Sequence, residues 1–369
     1  MIRGETDLLV VGGGPAGLAT AIRARLAGLS AVVLERSQPP IDKACGEGLM
    51  PDAVSRLLEI GVEPRGLPFR GIRYFDGEVM AEGVFPHAGG LGVRRTELHE
   101  ALVRRAREVE VDLRWGVKAE SLGPEGVETD QGTLRARWIA GADGLLSRVR
   151  RWVDASASEG EVRRFGVRRH FAMPPWSDFV EVYWGPSCEA YVTPVSSGEV
   201  GVAMLWSGGK AGFDDLLARI PALHTRVVGI PAASRDRGAG PLHQRVRTVW
   251  RGNVALVGDA AGYLDAITGE GLAVALHESA ALIEAIRAGR LELYAAAHRR
   301  INRLPNTMTS LVLALERRPR LRARAVRALA AEPALFARLL GIHARTLPPR
   351  RLGVEGALRL AWRLVATSS

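Results

Sequence analysis

The chain has 369 residues, 47% hydrophobic and 24% charged, which supports a packed core in one large α/β unit or two modest domains. Only two cysteines, Cys45 and Cys188, exclude a disulfide scaffold, and no apolar run approaches the roughly 18 residues of a membrane span. The formal charge of +10 comes from arginines scattered through predicted helices without interleaved aromatics, which excludes a nucleic-acid groove and reads as solvated faces. Such a charge would still draw an anionic substrate, a carrier protein or an acidic membrane surface.

Leu8 to Val11 reads as a buried parallel strand and leaves no room for a signal peptide, so a cytoplasmic protein is expected. Gly12-Gly13-Gly14-Pro15-Ala16-Gly17 follows at once, then helix-forming residues Ala16 to Ala27, then a second strand Ala31 to Leu34 ending in Glu35. This is the order a dinucleotide site requires. Gly12 allows the turn, Gly14 lets a pyrophosphate approach the backbone, and Gly17 lets helix and strand pack. Glu35, eighteen positions past Gly17, is placed to accept from a ribose hydroxyl.

Ser37 to Pro51 is a Gly- and Pro-bearing loop containing Cys45-Gly46-Glu47-Gly48-Leu49. Asp52 to Ile60 is predicted as a helix capped by Asp52, and Gly71 to Val84 as short strands. Arg94-Arg95-Thr96-Glu97-Leu98 opens a further helix, capped at or beside Thr96, with Leu98, Leu102 and Val103 facing inward. Val111 to Trp115 and Val127 to Ala140 read as strands leading to Gly141-Ala142-Asp143-Gly144. From about 160 to 240 the β-prone runs Phe179 to Trp184, Ala190 to Val195 and Val200 to Trp206 predict an antiparallel sheet with one apolar face. Val254 to Val257 resumes the buried-strand pattern before Gly258-Asp259, and a helix is expected from about Glu270 to Ala288. From Pro305 onward the chain is predicted helical, punctuated by Pro319 and Pro333. There Leu335, Phe336, Leu339 and Leu340 make an apolar stripe and Arg317, Arg318, Arg320, Arg322 and Arg324 a basic cluster. The fold class is therefore α/β: a Rossmann-type cofactor domain interrupted by an antiparallel β-sheet domain, with a C-terminal helical segment.

Three separated segments point at one cofactor. Gly12 to Gly17 cradles phosphates; an acid at a strand end, Asp259, can bond a polyol; and the helix start at Thr268-Gly269-Glu270-Gly271-Leu272 can stabilise negative charge on a reduced ring. With Gly141-Ala142-Asp143-Gly144-Leu145-Leu146-Ser147-Arg148-Val149-Arg150 between them, these motifs resemble the three fingerprints of the flavoprotein monooxygenase fold of the para-hydroxybenzoate hydroxylase type. The resemblance spans about two thirds of the chain. It implies FAD held by Gly12, Gly14, Pro15, Ala16, Gly17, Glu35 and Arg36. It adds Cys45, Gly46, Arg95, Val117, Asp143, Gly144, Gly258, Asp259, Gly269, Glu270, Gly271 and Leu272 to the cofactor contacts. It also implies domain limits: residues 1–70, 91–159 and 241–300 for the FAD-binding domain, 71–90 and 160–240 for the substrate sheet, and 301–369 for the helical region.

Within this fold the chain resembles the geranylgeranyl reductase-like branch through Cys45-Gly46-Glu47-Gly48-Leu49, Tyr191-Val192-Thr193-Pro194 and Thr268 to Gly271. It departs from the pattern at Ala266, where proline is usual, and at Ala273, where hydroxylases often carry asparagine. The candidate catalytic residues are Cys45, Tyr191 and His170, with His87 a further acid–base group, and no metal-ligand spacing is present. NADPH or NADH is the implied reductant. The leading expectation is oxygen insertion: reduced FAD takes up dioxygen, and the flavin hydroperoxide hydroxylates a small hydrophobic or aromatic substrate, free or carrier-bound. The alternatives are reduction of an isoprenoid double bond, and a flavin electron carrier. The basic C-terminal helices allow at most peripheral membrane contact.

Overall fold

Short apolar runs without polar alternation can be buried on both faces, and Leu8–Val11, Ala31–Leu34 and Val254–Leu256 are such runs. In the computed structural model, which describes residues 6–155 and 163–353 and the backbone of 157–159, they lie in one six-stranded sheet. Its order is Trp250–Arg251, Val254–Leu256, Ala136–Gly141, Thr6–Val11, Ala31–Glu35 and Asp112–Trp115. Every pair is parallel except the edge pair Trp250–Arg251 with Val254–Leu256. Helix Pro15–Leu26 packs on both Arg95–Glu108 and Gly271–Arg287, burying Leu18, Ile22, Leu98, Leu102 and Leu276 in the same core as the strands.

The second large sheet has seven strands, in the order Arg237–Ala239, Arg164–Phe171, Glu199–Ser207, Cys188–Ser196, Val180–Gly185, Gly71–Asp76 and Val79–Val84. The expectation of an antiparallel sheet needs one correction. Gly71–Asp76 runs parallel to Val180–Gly185, because the two strands come from distant segments with no hairpin to reverse them. Val202, Met204 and Trp206 share the outer face with Ala190 and Val192 under the short helices Phe213–Leu217 and Pro221–Val227. The opposite face is buried as well: Leu205, Val182 and Trp184 there join Met50 and Ile267 of the cofactor-side loops in one apolar cluster. A cavity of about 10 Å³ under Trp176 and Phe179 on the outer side is no larger than a water site.

Three boundaries differ from the sequence expectation for identifiable reasons. Helix Pro51–Leu58 starts on its proline with Met50 at the cap, so Asp52 sits in the first turn and pairs with His277 and Arg56. Helix Arg95–Glu108 has Arg94 at its cap, which puts Thr96 inside the helix. The C-terminal helices do not begin at Pro305: one helix, Leu291–Glu316, runs through it. A proline leaves the carbonyl four residues earlier without a donor. That carbonyl, of Ile301, accepts from Arg345 Nη2 at 2.8 Å instead. Pro319–Ala331 and Pro333–His343 follow, each opening on its proline, and Phe336 of the apolar stripe stacks on Tyr74. Arg317, Arg318 and Arg320 are exposed, while Arg322 pairs with Asp76 over the Trp184 ring. Among the described residues no helix is long and apolar enough to cross a membrane. Residues 354–369 of the expected helical region, and 1–5, 156 and 160–162 of the expected FAD-binding and substrate domains, lie outside the described residues.

A small sheet of Gly48–Leu49, Gly90–Gly92 and Leu67–Phe69 joins the two large ones. At its middle strand a Cβ on Gly92 would lie 1.8 Å from the Pro194 carbonyl oxygen. Gly92→Ala is expected to destabilise the fold by about 1–3 kcal/mol through overpacking. A denaturant midpoint unchanged from wild type would contradict this junction.

Candidate active site

The first amides of a helix have no intrahelical partner. Helix Pro15–Leu26 is capped by Gly14, which has no side chain to satisfy them. Gly12 turns the chain at φ 114°, and a Cβ on Gly17 would lie 1.9 Å from the Gly12 carbonyl oxygen, so helix and strand meet backbone to backbone. Gly14 faces space: the nearest atom to its Cβ position is Arg95 Nη2 at 4.0 Å. The Arg95 Nε is buried without a hydrogen-bond partner among the described residues. Glu35 closes the far end, its carboxylate accepting the N–H groups of Gly13 and Ser37, each at 2.9 Å. Val117 is buried beside it and donates to the Glu35 carbonyl, whereas Arg36 is exposed.

Across the cradle, Val254–Leu256 leads into a 3₁₀ turn, Gly258–Ala261. The half-buried Asp259 carboxyl makes no hydrogen bond within the described residues. Burial pushes it above the usual carboxylate range, opposed by the attraction of Arg95 and Lys43, so the three charges face one another. Helix Gly271–Arg287 has Glu270 at its cap with no capping bond, leaving a second set of amides free. Cβ atoms on Gly46 and Gly269 would meet nothing within 4 Å. Leu272 is half-buried in the first turn, and Glu270 turns to His343 Nδ1 at 3.3 Å, with its acidity weakened by burial. Gly144 brings the Gly141–Gly144 turn against Lys43 Nζ.

The Cys45 loop is held by a buried charge network. Glu47 adopts φ 60° and its N–H donates to Cys45 Sγ at 3.4 Å. Burial pushes the Cys45 thiol up, against the pull of Arg95, so the thiol is the neutral form. The Glu47 carboxylate accepts from the Arg95 N–H at 2.7 Å and from His170 Nε2. Arg168, which can only donate, lies 3.1 Å from His170 Nδ1, with the Ser234 hydroxyl at 2.8 Å. Nδ1 therefore accepts, and the ring proton is assigned to Nε2. Arg168 also pairs with Asp42. His170 is fully buried with both nitrogens engaged, so it holds the Cys45 loop through Glu47 without reaching the cradle.

A second buried cluster bolts the sheet to the loop before Gly269. Arg164, 3% exposed, meets Glu189, Asp265 and Glu316. Burial pushes the Glu189 carboxyl up to about 8, while the surrounding acids hold Arg164 firmly charged. Tyr191 donates its hydroxyl to the Ile267 carbonyl at 2.7 Å, so it too anchors that loop. Asp143 accepts from the Ser147 hydroxyl and from the Arg148 and Val149 amides, which commits its carboxylate to capping helix Arg148–Trp152. His87 is exposed.

Several site residues escape sequence reasoning. His99, buried, hydrogen-bonds the Gly13 carbonyl at 2.9 Å, and no local pattern marks it. Glu278 accepts from the Gly258 amide at 2.8 Å and is held by Asn302 and His298, contacts to distant segments that no local pattern marks. Tyr263, directly after Gly262, lies with its ring 3.4 Å from the Cβ position of Gly271, and its phenol feels both Asp259 and Cys45.

The family described as FAD binding domain matches residues 5–290. A menaquinone reductase from Mycolicibacterium smegmatis is 29% identical over 325 residues, 79% of either chain. Para-nitrophenol 4-monooxygenase from Pseudomonas sp. is 27% identical over 319 residues, covering 76% of this chain and 77% of that one. In fold alone, a flavoprotein/dehydrogenase from Cytophaga hutchinsonii superposes with a TM-score of 0.82 at 17% identity, over 99% of both chains.

Because the space beside Gly14 is open, Gly14→Val should leave the fold intact and abolish FAD retention. Circular dichroism melting and the flavin-to-protein absorbance ratio test this; stoichiometric flavin in the variant would overturn the cradle. For Glu189 the carboxyl is raised from 4.5 unfolded to about 8 folded. The folded state then binds the extra proton between those values, so stability falls as pH rises through the interval. Glu189→Gln should melt above wild type at pH 9, and the gap should close towards pH 5.

Proposed function

The chain belongs to the FAD binding domain family, and on that premise we propose that it is an NAD(P)H-dependent monooxygenase hydroxylating a small aromatic or apolar molecule. The observation that carries this reading is an apolar face set over an uncapped cofactor cradle. Tyr74, Leu145, Tyr191, Ala239, Tyr263 and Ala266 are all half-buried in the cluster between sheet and loops. The residues present fit FAD: open space at Gly14, Gly46 and Gly269, and an Arg95 Nε and an Asp259 carboxyl that make no hydrogen bond among the described residues. When bound, FAD supplies two-electron redox chemistry and the activation of dioxygen.

The protein's own contribution is positioning, charge and exclusion of water. The Gly14 amides and Arg95 would hold the diphosphate, Glu35 a ribose, and Asp259 the polyol chain. The free amides at Gly271–Arg287 would stabilise negative charge on the ring. Cys45, as a neutral thiol, holds a proton at the edge of the cradle. Tyr191 and Asp265 fix the Ile267 loop, so the start of that helix is preorganised. The apolar cluster excludes water from the reacting face.

We assign residues 1–70, 91–159 and 241–300 to the FAD-binding domain, 71–90 and 160–240 to the substrate domain, and 301–369 to the helical region. The parallel sheet and the seven-stranded sheet support this division. The enzyme acts in the cytoplasm on a free or carrier-bound substrate.

Turnover of the FAD-loaded protein with NADPH, a panel of phenols and isotopically labelled dioxygen tests the reaction. The expected product carries one labelled oxygen atom. Peroxide alone across the panel, with two hydrogens added to a prenyl lipid under anaerobic conditions, would overturn oxygen insertion. It would favour double-bond reduction.

A further inference from the structure

We infer that the site selects an uncharged substrate and rejects its carboxylate analogue, because, among the described residues, each buried arginine in or beside the inner sheet face is already matched by acids or backbone acceptors. The inference rests on the reading above in one respect: that the inner sheet face covers the flavin.

Strand register defines that face. Arg168, Ala203, Tyr191, Val182 and Tyr74 form one row across five strands, and Gly166, Leu205, Glu189 and Trp184 form the next. Among the described residues the arginines in or beside these rows are paired, although the Arg168 Nε, 3.9 Å from Glu47, makes no hydrogen bond. Arg164 faces Glu189, Asp265 and Glu316, one positive charge against three carboxylates. The proton that burial keeps on Glu189 at neutral pH still leaves that cluster net negative. Arg168 is divided between Asp42 and Glu47, and His170 hydrogen-bonds both Arg168 and Glu47. Arg150, 5% exposed, spends its donors on the carbonyls of Leu145 and Ala260 and on the Gln244 side chain.

The remaining groups do not change the balance. Burial, with Arg245 and Arg317 nearby, lowers the proton affinity of His243 against the attraction of Asp265. Burial holds the Tyr74, Tyr191 and Tyr263 phenols in the neutral form. Lys43 and Arg95 face Asp259 across the cradle, on the side that would hold FAD. A carboxylate entering under the sheet would lose its water and meet, among the described residues of that face, only arginines already paired. A neutral ring of the same shape loses little and gains the apolar contacts.

Calorimetric titration of the FAD-loaded protein at neutral pH with phenol against 4-hydroxybenzoate, and 1-naphthol against 1-hydroxy-2-naphthoate, tests the inference. The uncharged member of each pair should bind at least about tenfold more tightly. Equal or tighter binding of the carboxylates would overturn the inference while leaving hydroxylation standing, since no oxygen transfer is measured. Binding by none of the four would overturn both. Glu316→Gln removes one negative charge from the Arg164 cluster without altering the sheet, and should narrow the gap by roughly threefold. An unchanged gap in that variant would remove the cluster as its cause.

Discussion

The contact between the Gly17 position and the Gly12 carbonyl is the constraint on which the rest of the site depends. With only 1.9 Å available there, no side chain can separate the first helix from the first strand. The helix start is thereby pressed to the sheet edge with its amides unshielded, because Gly14 offers no cap. Its neighbours are cut to the same tolerance. Gly13 is hemmed by Trp115 and Glu35, and Gly258 by Ala16, so the ends of four strands meet at one crowded edge. The charges then arrange themselves around a space, which is why the Asp259 carboxyl and the Arg95 Nε make no hydrogen bond among the described residues.

The inserted sheet is fastened to that edge mainly by buried charges. Arg168 with Glu47 and Asp42 holds the Cys45 side, and Arg164 with Asp265 and Glu316 holds the Ile267 side. Buried ion pairs are weak sources of net stability, since desolvation offsets much of their attraction. What they supply here is register. Each arginine matches carboxylates from separate segments, so a sheet displaced by one residue would strand several charges at once. The apolar cluster between the two fasteners tolerates volume changes far better than the fasteners tolerate displacement.

The cofactor edge was legible because its constraints are local. A turn at Gly12, an uncapped helix start and an acid at a strand end each leave a mark within a few residues. Strand positions in the inserted sheet were legible from alternation, but not their inner-face burial or the parallel junction of Gly71–Asp76 with Val180–Gly185, which depend on what the sheet lies against. Pro305 misled because the donor that rescues the Ile301 carbonyl is Arg345, forty-four residues away. His170 and Tyr191 are polar residues on the correct face, yet sequence could not show that their hydrogen bonds end on loops and not in the cradle. His99 was invisible for the same reason: its partner is a backbone carbonyl in another element.

The neighbours of Ala136–Gly141 in the parallel sheet are Thr6–Val11 and Val254–Leu256, and the main part of the inserted sheet is encoded between the second and third of these. During synthesis the ribosome therefore delivers the glycine turn early and Asp259 late. The sheet must pair its strands on a scaffold whose third wall has not yet been made. Non-local pairing of this kind is slow and leaves strand edges exposed while it proceeds. Saturation with the cofactor is then a report on how far the nascent chain has folded: a truncated or stalled product that ends before Val254 carries the phosphate cradle but lacks the acid opposite it.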